Sequence, residues 1–235
     1  MTGNKTSVLL GVIPARGGSK GIPKKNLRRV LGRPLLSYTI EAAKSYRGLF
    51  KTIVSTDSPE IAEVARAYGA EIPFLRPKRL ARDGTPMLAV LKHALLACER
   101  LYAAKVDGVV LLDPTSPLRE KADLEDMARL FREKAPDLVV AVSPCRKNPY
   151  FNMLRIGKNG YARLVIAGRY VRRQDAPPLY DIANNIWIFS RRAVLNGWRL
   201  PSKTLAYEIR GGYADVDTKD DLAFLEWRLR KRTKP

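Results

Sequence analysis

The stretch VLLGVIPARGGSKGIPKKN, at residues 8–26, runs from apolar residues into a loop rich in glycine and basic side chains. The apolar run from Ser7 to Ile13 predicts a β-strand, and the amphipathic sequence after the loop predicts a helix. Glycines let backbone N–H groups approach an anion closely, and an arginine such as Arg16 can hold two phosphate oxygens at once. The order of strand, basic glycine loop and helix is therefore typical of an α/β protein that binds a nucleoside triphosphate.

The spacing of the loop glycines excludes the two commonest nucleotide-binding patterns. The glycines do not follow G-x-G-x-x-G, and no G-x-x-x-x-G-K-[ST] occurs. The loop therefore predicts another class of nucleotide site, in which Arg16, Lys20 and Lys25 face the phosphates. A solvated turn without a ligand is the alternative, which the preceding strand disfavours.

The composition is that of a folded globular protein. With 235 residues, of which 46% are hydrophobic, the chain can bury a full core as a single domain spanning 1–235. No run approaches the length needed to cross a membrane, and the first apolar stretch is too short and wrongly flanked for a signal peptide. We therefore expect a cytoplasmic protein without a membrane partner, whose Cys98 and Cys145 are reduced and unreactive.

The net charge of +20 is concentrated in two segments. Residues 1–40 hold eight Lys and Arg and no acidic residue, and residues 138–174 hold another eight and none. Two acid-free segments indicate two surfaces that face an anionic ligand, because a generally basic surface would scatter its excess charge. Nucleic acid is the competing partner, but the sequence lacks zinc-ligand spacing, an RNA-binding aromatic signature and a basic coiled coil. We therefore expect no nucleic acid partner.

Strand and helix patterns alternate as far as Val142, which predicts an α/β fold with a doubly wound, mostly parallel sheet. Shorter patches then predict an excursion at 144–180 before two final strands. His93, the single histidine, falls beside the apolar stripe of its helix and is expected to be packed rather than catalytic. The predicted strands after the first are 52–55, 72–75, 106–112, 138–142, 186–189 and 206–209, and the predicted helices are 34–46, 58–69, 85–101 and 122–134, with Pro86 at the first position of the third.

Two further motifs place polar residues at strand ends. After the strand at 106–112, four polar residues would project from its carboxyl end, where open α/β sheets bind ligands: Asp113, Thr115, Ser116 and Arg119. Near the end of the chain, Asp215 and Asp217 share one face of an extended segment and can approach one cation. Thr218 and Asp221 at 218–221 match a helix capping box. The alternative is that Asp217 only caps this helix.

Six motifs in order along nearly the whole chain resemble the acylneuraminate cytidylyltransferases, which include CMP-sialic acid synthetases and relatives acting on legionaminic or pseudaminic acid. The motifs are PARGGSKGIPKKN, LRPKRLARDGTP, LLDPTSPLR, NPYFNM, RRQDAPPLYD and DVDTKDDL. The resemblance implies a Rossmann-like nucleotidyltransferase that transfers CMP from CTP to a 2-keto-3-deoxy nonulosonic acid and releases pyrophosphate. It also implies Mg²⁺ as cofactor and a homodimer in which the excursion lends an arginine to the partner's site.

The resemblance also implies roles for individual residues. Catalysis is expected of Arg16, Lys20 and Asp217, and metal binding of Asp215 and Asp217. The expected nucleotide contacts are Ala15, Arg16, Gly18, Ser19, Lys20, Lys25, Asn26, Arg76 and Asp83, and the expected sugar contacts are Asp113, Thr115, Ser116, Arg172, Arg173 and Gln174.

Three departures from the family pattern concern the sugar. Asp113 stands where many members have a sugar-contacting Gln, Asp181 stands where some sialic acid enzymes have Arg, and ANNIWIF replaces the more usual NGAIYI or NASIYI. The nucleotide chemistry is unaffected, and the identity of the sugar acid stays open. The motifs NPYFNM and RRQDAPPLYD are closer to the legionaminic-like branch.

Two other functions remain compatible with these residues. A sugar-1-phosphate nucleotidyltransferase would share the loop and the fold but act on a phosphorylated aldose. A non-catalytic basic protein that binds nucleotides or nucleic acid would account for the charge without chemistry.

Overall fold

The computed structural model describes residues 7–19, 21–211 and 213–232. It contains a six-stranded central sheet and two short hairpins. In chain order the strands are β1 (Leu9–Pro14), β2 (Arg29–Val30), β3 (Arg33–Pro34), β4 (Lys51–Ser55), β5 (Gly108–Leu112), β6 (Leu138–Pro144), β7 (Leu154–Ile156), β8 (Ala162–Leu164), β9 (Tyr180–Ser190) and β10 (Thr204–Glu208). The α-helices are α1 (Leu35–Ser45), α2 (Pro59–Ala67), α3 (Met87–Leu101), α4 (Lys121–Lys134), α5 (Arg191–Asn196) and α6 (Lys219–Arg232).

The central sheet is mostly parallel, as the alternation of patterns predicts. Its strand order is β10-β6-β9-β5-β1-β4. Strand β1 lies parallel to β4 and β5, and β6 lies parallel to β10, whereas β9 is antiparallel to both β5 and β6. The carboxyl ends of β1, β4 and β5 therefore meet at one edge of the sheet, where a ligand site is expected.

Helices cover both faces of this sheet, which confirms the doubly wound arrangement. One apolar cluster joins α1, α2 and α4 to the first face through Ile40, Ile61 and Met127. A second cluster joins α3 and α5 to the opposite face through Leu91 and Val194. All six residues of β1 are buried, as expected for a parallel strand covered on both sides. Within the described ranges, no helix combines the length and the apolar character needed to cross a membrane.

The segment between β1 and α1 differs from its predicted form. The loop leads into a 3₁₀ turn at Lys25–Leu27 and the β2–β3 hairpin, so α1 begins only at Leu35. Leu31 and Gly32 both have positive φ, 46° and 81°, as a two-residue hairpin turn requires. The hairpin, which was not predicted, separates the loop from the helix, and α1 confirms the helix predicted at 34–46.

Three smaller predictions also need correction. No strand forms at 72–75, where Pro73 has no N–H to give to a ladder, and only Glu71 makes an isolated bridge with Ile53. Helix α3 begins at Met87 instead of Pro86, which precedes the helix and has no side-chain cap. Strand β9 is longer than predicted because a register shift opposite Val140–Val142 lets it continue through its polar residues.

The excursion lies between the end of β6 at Pro144 and the start of β9 at Tyr180. Its β7–β8 hairpin lies among the shorter patches that the sequence predicts at 144–180. Leu154, Ile156 and Tyr161 of this hairpin are 62%, 72% and 74% exposed. The excursion therefore presents apolar side chains to solvent in the single chain.

A third apolar cluster packs α6 and the segment before it against the loop after β1 and the β2–β3 hairpin. Val216 lies in the segment between β10 and α6, here called the closing segment, and Leu225 lies in α6. Both are buried in one cluster with Ile22, Val30 and Leu118. Because these residues come from the loop after β1, the β2–β3 hairpin and the segment after β5, their packing brings three functional motifs into one region.

Candidate active site

A cavity of about 300 Å³ lies at the carboxyl ends of β1 and β5. The loop after β1, the segment after β5 and the closing segment each supply part of its wall. The predicted site residues that line it are Arg16, Ser19, Lys25, Asn26, Arg76, Asp113, Thr115 and Asp217, and the other lining residues are Pro14, Gly21, Met87 and Pro114.

The remaining predicted site residues fall into three groups. Ala15, Gly18, Asp83, Ser116 and Asp215 adjoin the lining residues without lining the cavity themselves. Arg172, Arg173 and Gln174 lie in the excursion and are not part of its wall. Lys20 lies outside the described residues.

The loop after β1 is held by hydrogen bonds at both ends. Ala15 N donates to Ser55 O at 2.9 Å, and Gly17 N donates to Asp57 Oδ1 at 3.0 Å. Asn26 Nδ2 donates to Arg16 O at 3.1 Å, while the buried Oδ1 of Asn26 has no partner among the described residues. A buried acceptor without a donor is costly to the folded state.

Arg16, the predicted phosphate-binding arginine, pairs with Asp83 across the mouth of the cavity. The resemblance implies that Asp83 contacts the nucleotide, and in the structure its Oδ1 accepts a hydrogen bond from Arg16 Nη1. Both side chains are partly exposed, at 33% and 49%. An exposed pair of this kind contributes little stability, so a phosphate can take over the guanidinium at small cost.

Arg76 forms part of the cavity wall next to the end of β4. It is 5% exposed, and its guanidinium donates to Ser55 O at 2.6 Å and to Leu80 O at 3.4 Å. Burial lowers the pKa of this guanidinium below its ordinary value. Its Nε is buried and has no partner among the described residues.

Lys25 and Asp217 close the cavity on the side of the final segment. Lys25 Nζ donates to Asp217 Oδ1 at 2.9 Å and to Val216 O at 2.7 Å. A Cβ added to Gly21 would lie 2.5 Å from Asp217 O, so only glycine permits this approach. The predicted capping box is confirmed, because Asp221 Oδ2 accepts from Thr218 N at 2.7 Å and Asp221 N donates to Thr218 Oγ1. Asp217 is therefore not the helix cap.

Asp113 and Asp215 meet at the hydroxyl of Thr115. Thr115 Oγ1 lies 2.8 Å from Asp113 Oδ1 and 2.7 Å from Asp215 Oδ1. Ser116 Oγ and Asn184 Nδ2, each at 3.2 Å, also donate to Asp215. Burial raises the pKa of the Asp113 carboxyl, and the neighbouring Asp215 raises it further, against the hydrogen bonds from Thr115 that lower it.

Asp215 and Asp217, the expected metal ligands, thus have different partners. Within the described ranges, no group of three His, Cys, Asp or Glu side chains could hold a metal ion. Mg²⁺ in nucleotide sites commonly takes one or two carboxylates and completes its shell with phosphate oxygens and water. The hard carboxylate oxygens of Asp215 and Asp217 fit that requirement.

A larger apolar groove of about 740 Å³ continues from the cavity along the sheet face under α3. It shares Asp113 and Met87 with the cavity. Trp187 and Phe189 of β9 line it, with their rings stacked at a centroid distance of 5.7 Å. The smaller polar cavity therefore opens beside an aromatic surface.

Sequence reasoning missed two residues of the site, Asp57 and Asn184, whereas Arg119 was predicted to project from the strand end. Asp57 holds the loop after β1, and Asn184 reaches Asp215 from the register shift in β9. Arg119, which is 8% exposed, donates to Asn185 O, Thr39 Oγ1 and Asp113 O, and burial lowers its pKa to about 10. The sequence signal for Asn184 was the pair of asparagines in the otherwise apolar segment ANNIWIF.

His93 and the two cysteines lie outside this constellation. The His93 ring packs edge-on against Phe74 at a centroid distance of 4.8 Å, which confirms a packed residue. Cys98 is buried, and burial raises the pKa of its thiol to about 12. Cys145 Sγ donates to Asp181 Oδ1 at 3.1 Å, and this bond raises the pKa of its thiol.

Comparison with known proteins adds evidence that is independent of this geometry. A family model described as Cytidylyltransferase matches residues 10–204. The chain is 34% identical over 229 residues to the post-translational flagellin modification protein B of Campylobacter coli, with coverage of 96% of this chain and 97% of the relative. It is 36% identical over 224 residues to the CMP-N,N'-diacetyllegionaminic acid synthase of Campylobacter jejuni, with 94% of each chain covered.

A solved structure has the same fold. The structure of a CMP:2-keto-3-deoxy-manno-octonic acid synthetase complexed with CTP superposes with a TM-score of 0.73. The superposition covers 96% of this chain and all of the other, at 18% sequence identity. At that identity the likeness concerns the fold alone, and it agrees with the mostly parallel sheet flanked by helices.

Proposed function

We propose that this chain, which belongs to the cytidylyltransferase family and is a nucleotidyltransferase, transfers CMP from CTP to a hydroxyl of a nonulosonic sugar acid and releases pyrophosphate. The observation that carries this proposal is the gathering of Arg16, Lys25, Asn26 and Arg76 around one cavity at the strand ends. A non-catalytic basic protein does not fit a member of this enzyme family.

The phosphates of CTP are placed against the loop after β1. Arg16 offers a forked pair of donors and Lys25 a point charge, and both line the cavity. These cations neutralise the charge that develops on the departing pyrophosphate, and one such donor typically contributes about 10²- to 10³-fold in rate. The first basic segment of the sequence is in this way explained by a substrate that carries four negative charges.

The base and ribose face the buried wall of the cavity. Asn26 and Arg76 line this wall. An amide and a guanidinium can form hydrogen bonds with a ribose hydroxyl and a cytosine carbonyl.

The sugar acid is placed in the groove beside the cavity. Asp113 and Met87 line both spaces, so a hydroxyl at their junction can reach the α-phosphate of CTP. The stacked Trp187 and Phe189 offer apolar contact for N-acyl groups on the sugar. The relative named as a diacetyllegionaminic acid synthase acts on a sugar with such groups, which supports this choice of substrate class.

In the proposed reaction, the acceptor hydroxyl oxygen bonds to the α-phosphorus, the bond from this phosphorus to the β-bridging oxygen breaks, and the hydroxyl proton is released. Protein residues chiefly position and neutralise the reactants. We propose Mg²⁺ as the cofactor, held by Asp215 with the neighbouring carboxylates. When bound, the ion supplies charge neutralisation at the α-phosphate and makes the attacking hydroxyl more acidic.

We further propose that the enzyme works as a homodimer in the cytoplasm. The exposed apolar residues of the β7–β8 hairpin would be buried by a second copy of the excursion. Arg173 donates to Cys145 O at 2.6 Å and does not line the cavity of its own chain, which leaves it available to the partner's site. The free Cys98 and Cys145 suit a reducing compartment.

Pyrophosphate release tests this function and its nearest alternative. The protein is incubated with Mg²⁺ and each of the four nucleoside triphosphates, combined with a panel of nonulosonic acids and sugar 1-phosphates. The proposal expects release with CTP and a sugar acid. Equal release with ATP or UTP would remove the cytidine specificity, and release only with a sugar 1-phosphate would favour the sugar-1-phosphate nucleotidyltransferase.

A further inference from the structure

A second groove, here called the basic groove, lies along the solvent side of α3 and has a volume of about 420 Å³. Its basic lining residues are Arg79, Lys92, His93 and Arg100, and the others are Leu80, Ala89, Leu96 and Ala97. It adjoins the apolar groove, with which it shares Ala89 and Lys92. None of its lining residues lines the candidate active-site cavity, so the two are separate spaces.

The helical repeat of α3 explains why these side chains lie together. Lys92, Leu96 and Arg100 follow one another at intervals of four residues, which places them on one stripe of the helix. The opposite stripe of α3 is buried against the sheet. Arg79 comes from a different element, the 3₁₀ turn Lys78–Leu80. Two elements therefore bring cations to one groove.

The cations of the basic groove lack partners of opposite charge. In the described part of the chain, neither the Arg79 nor the Arg100 guanidinium forms a salt bridge or a hydrogen bond, and no acidic side chain lines the groove. Lys92 Nζ donates to Leu195 O at 3.0 Å, which is a neutral acceptor. Cations that are gathered without a counter-charge repel one another, so an anion between them is stabilised by all three.

The effect of this gathering is visible at His93. Burial lowers the pKa of its imidazole, and the positive charges of Arg79 and Arg76 lower it further. His93 is therefore mostly neutral at pH 7, and the charge of the basic groove comes from Arg79, Lys92 and Arg100.

We propose that the basic groove binds the phosphoryl group of a small molecule, at a site distinct from the candidate active site. Two guanidiniums offer forked donors that match phosphate oxygens, and the Lys92 ammonium adds a point charge. Leu80 and Leu96 give the groove an apolar part that suits the organic portion of a phosphate ester. This inference does not depend on the reaction proposed above, because it concerns a different set of residues.

The single histidine is a reporter placed in this groove. The purified protein is titrated at pH 7 and constant ionic strength with adenosine monophosphate and, separately, with inorganic phosphate, and the Cε1–H resonance of His93 is followed by NMR. Arg79→Gln and Arg100→Gln each remove one cation of the groove. Arg47→Gln removes the same charge from an exposed position after α1 and is the matched control. Circular dichroism of each variant verifies the fold.

We expect the resonance to shift to saturation in the wild type. The Kd should rise about tenfold or more in Arg79→Gln and in Arg100→Gln, and stay within about twofold of the wild type in Arg47→Gln. Tighter binding of adenosine monophosphate than of inorganic phosphate would assign the site to organic phosphates, and equal binding would assign it to the free ion.

Arg16→Gln distinguishes the basic groove from the active-site cavity. Arg16 lines that cavity and not the groove, so this variant should keep the wild-type shift of His93. A shift that stays linear without saturation, wild-type affinity in both groove variants, or loss of the shift in Arg16→Gln would each overturn the inference.

Discussion

Lys25 and Asp217, which are 192 positions apart, are joined by a hydrogen bond of 2.9 Å from Nζ to Oδ1. The same ammonium donates to Val216 O at 2.7 Å, and the Lys25 side chain is only 14% exposed. The loop after β1 and the closing segment are therefore held together at the cavity by a polar contact, beside the apolar contact of Ile22 with Val216. Lys25, the proposed phosphate-binding cation, and Asp217 therefore form one unit.

Because Lys25 and Asp217 share a hydrogen bond, changes at the two residues should not be additive. We expect Lys25→Met and Asp217→Asn each to lower turnover by about 10²-fold, because each disturbs the cation that faces the phosphates. The double variant should be no slower than the slower single variant. Lys24→Met, which removes an exposed pair with Glu60, is the control and should be nearly silent. Steady-state kinetics of the four variants would contradict the account if the two losses multiply, or if Asp217→Asn has the wild-type rate at saturating Mg²⁺.

Two glycines of the loop should respond differently to the same added methyl group. A Cβ on Gly21 meets Asp217 O at 2.5 Å, so Gly21→Ala should lower Tm as well as turnover. A Cβ on Gly18 meets nothing within 4 Å, so Gly18→Ala should leave Tm unchanged and raise the KM for CTP if phosphate approaches this backbone. Thermal unfolding and CTP kinetics distinguish the two. A Gly18→Ala enzyme with an unchanged KM for CTP would remove Gly18 from the nucleotide site.

The two thiols should differ in their reaction with an alkylating reagent. Burial raises the pKa of Cys98 to about 12, so its thiolate fraction at pH 8 is on the order of 10⁻⁴ and its access is blocked. Cys145 should react first in the native protein, and faster as pH rises toward its own raised pKa. Asp181→Asn removes the charge that raises the pKa of Cys145 and should speed its alkylation at pH 8. Peptide mapping checks the order, and native-state labelling of Cys98 ahead of Cys145 would contradict it.

Arg173 should act on the sugar acid instead of the nucleotide. A carboxylate is matched best by a forked guanidinium, so Arg173→Lys should raise the KM for the sugar acid far more than that for CTP. Arg172 pairs with Asp175 within its own turn, so Arg172→Lys serves as the neighbouring control with a smaller effect. Both KM values unchanged in Arg173→Lys would exclude this residue from the site.

Subunit mixing tests whether Arg173 serves the partner's cavity. In the proposed dimer each site takes Asp217 from one chain and Arg173 from the other, so Asp217→Ala and Arg173→Ala are each expected to be inactive. A mixed dimer should regain one of its two sites, which gives up to about a quarter of wild-type activity after random exchange of subunits. Demonstrated exchange without recovered activity would place both residues in the same chain's site.

The elements that the sequence predicted well are those whose signal is local. The apolar run of β1, the glycine-rich loop and the capping box of Thr218 and Asp221 each depend on neighbours within a few residues. The absence of a strand at 72–75 was also readable in principle, because Pro73 lacks the ladder donor.

The contacts that the sequence could not predict join distant segments. Asn184 meets Asp215 only because β9 shifts its register beside β6, and Arg119 reaches Asn185 O only because β9 lies antiparallel between β5 and β6. Pairing of this kind depends on sheet order, which short-range periodicity does not encode. The motifs therefore predicted which segments contribute residues to the site, but not which side chains form hydrogen bonds with one another.

The mass of the product is the most direct test of the proposed transfer of CMP to a sugar acid. The protein is incubated with CTP, Mg²⁺ and a nonulosonic acid, and the product is analysed by mass spectrometry. We expect a product that contains one phosphate and has the mass of CMP plus the sugar acid minus one water. Pyrophosphate should form in an equal molar amount. A product that forms only from a sugar 1-phosphate and contains two phosphates would contradict the account.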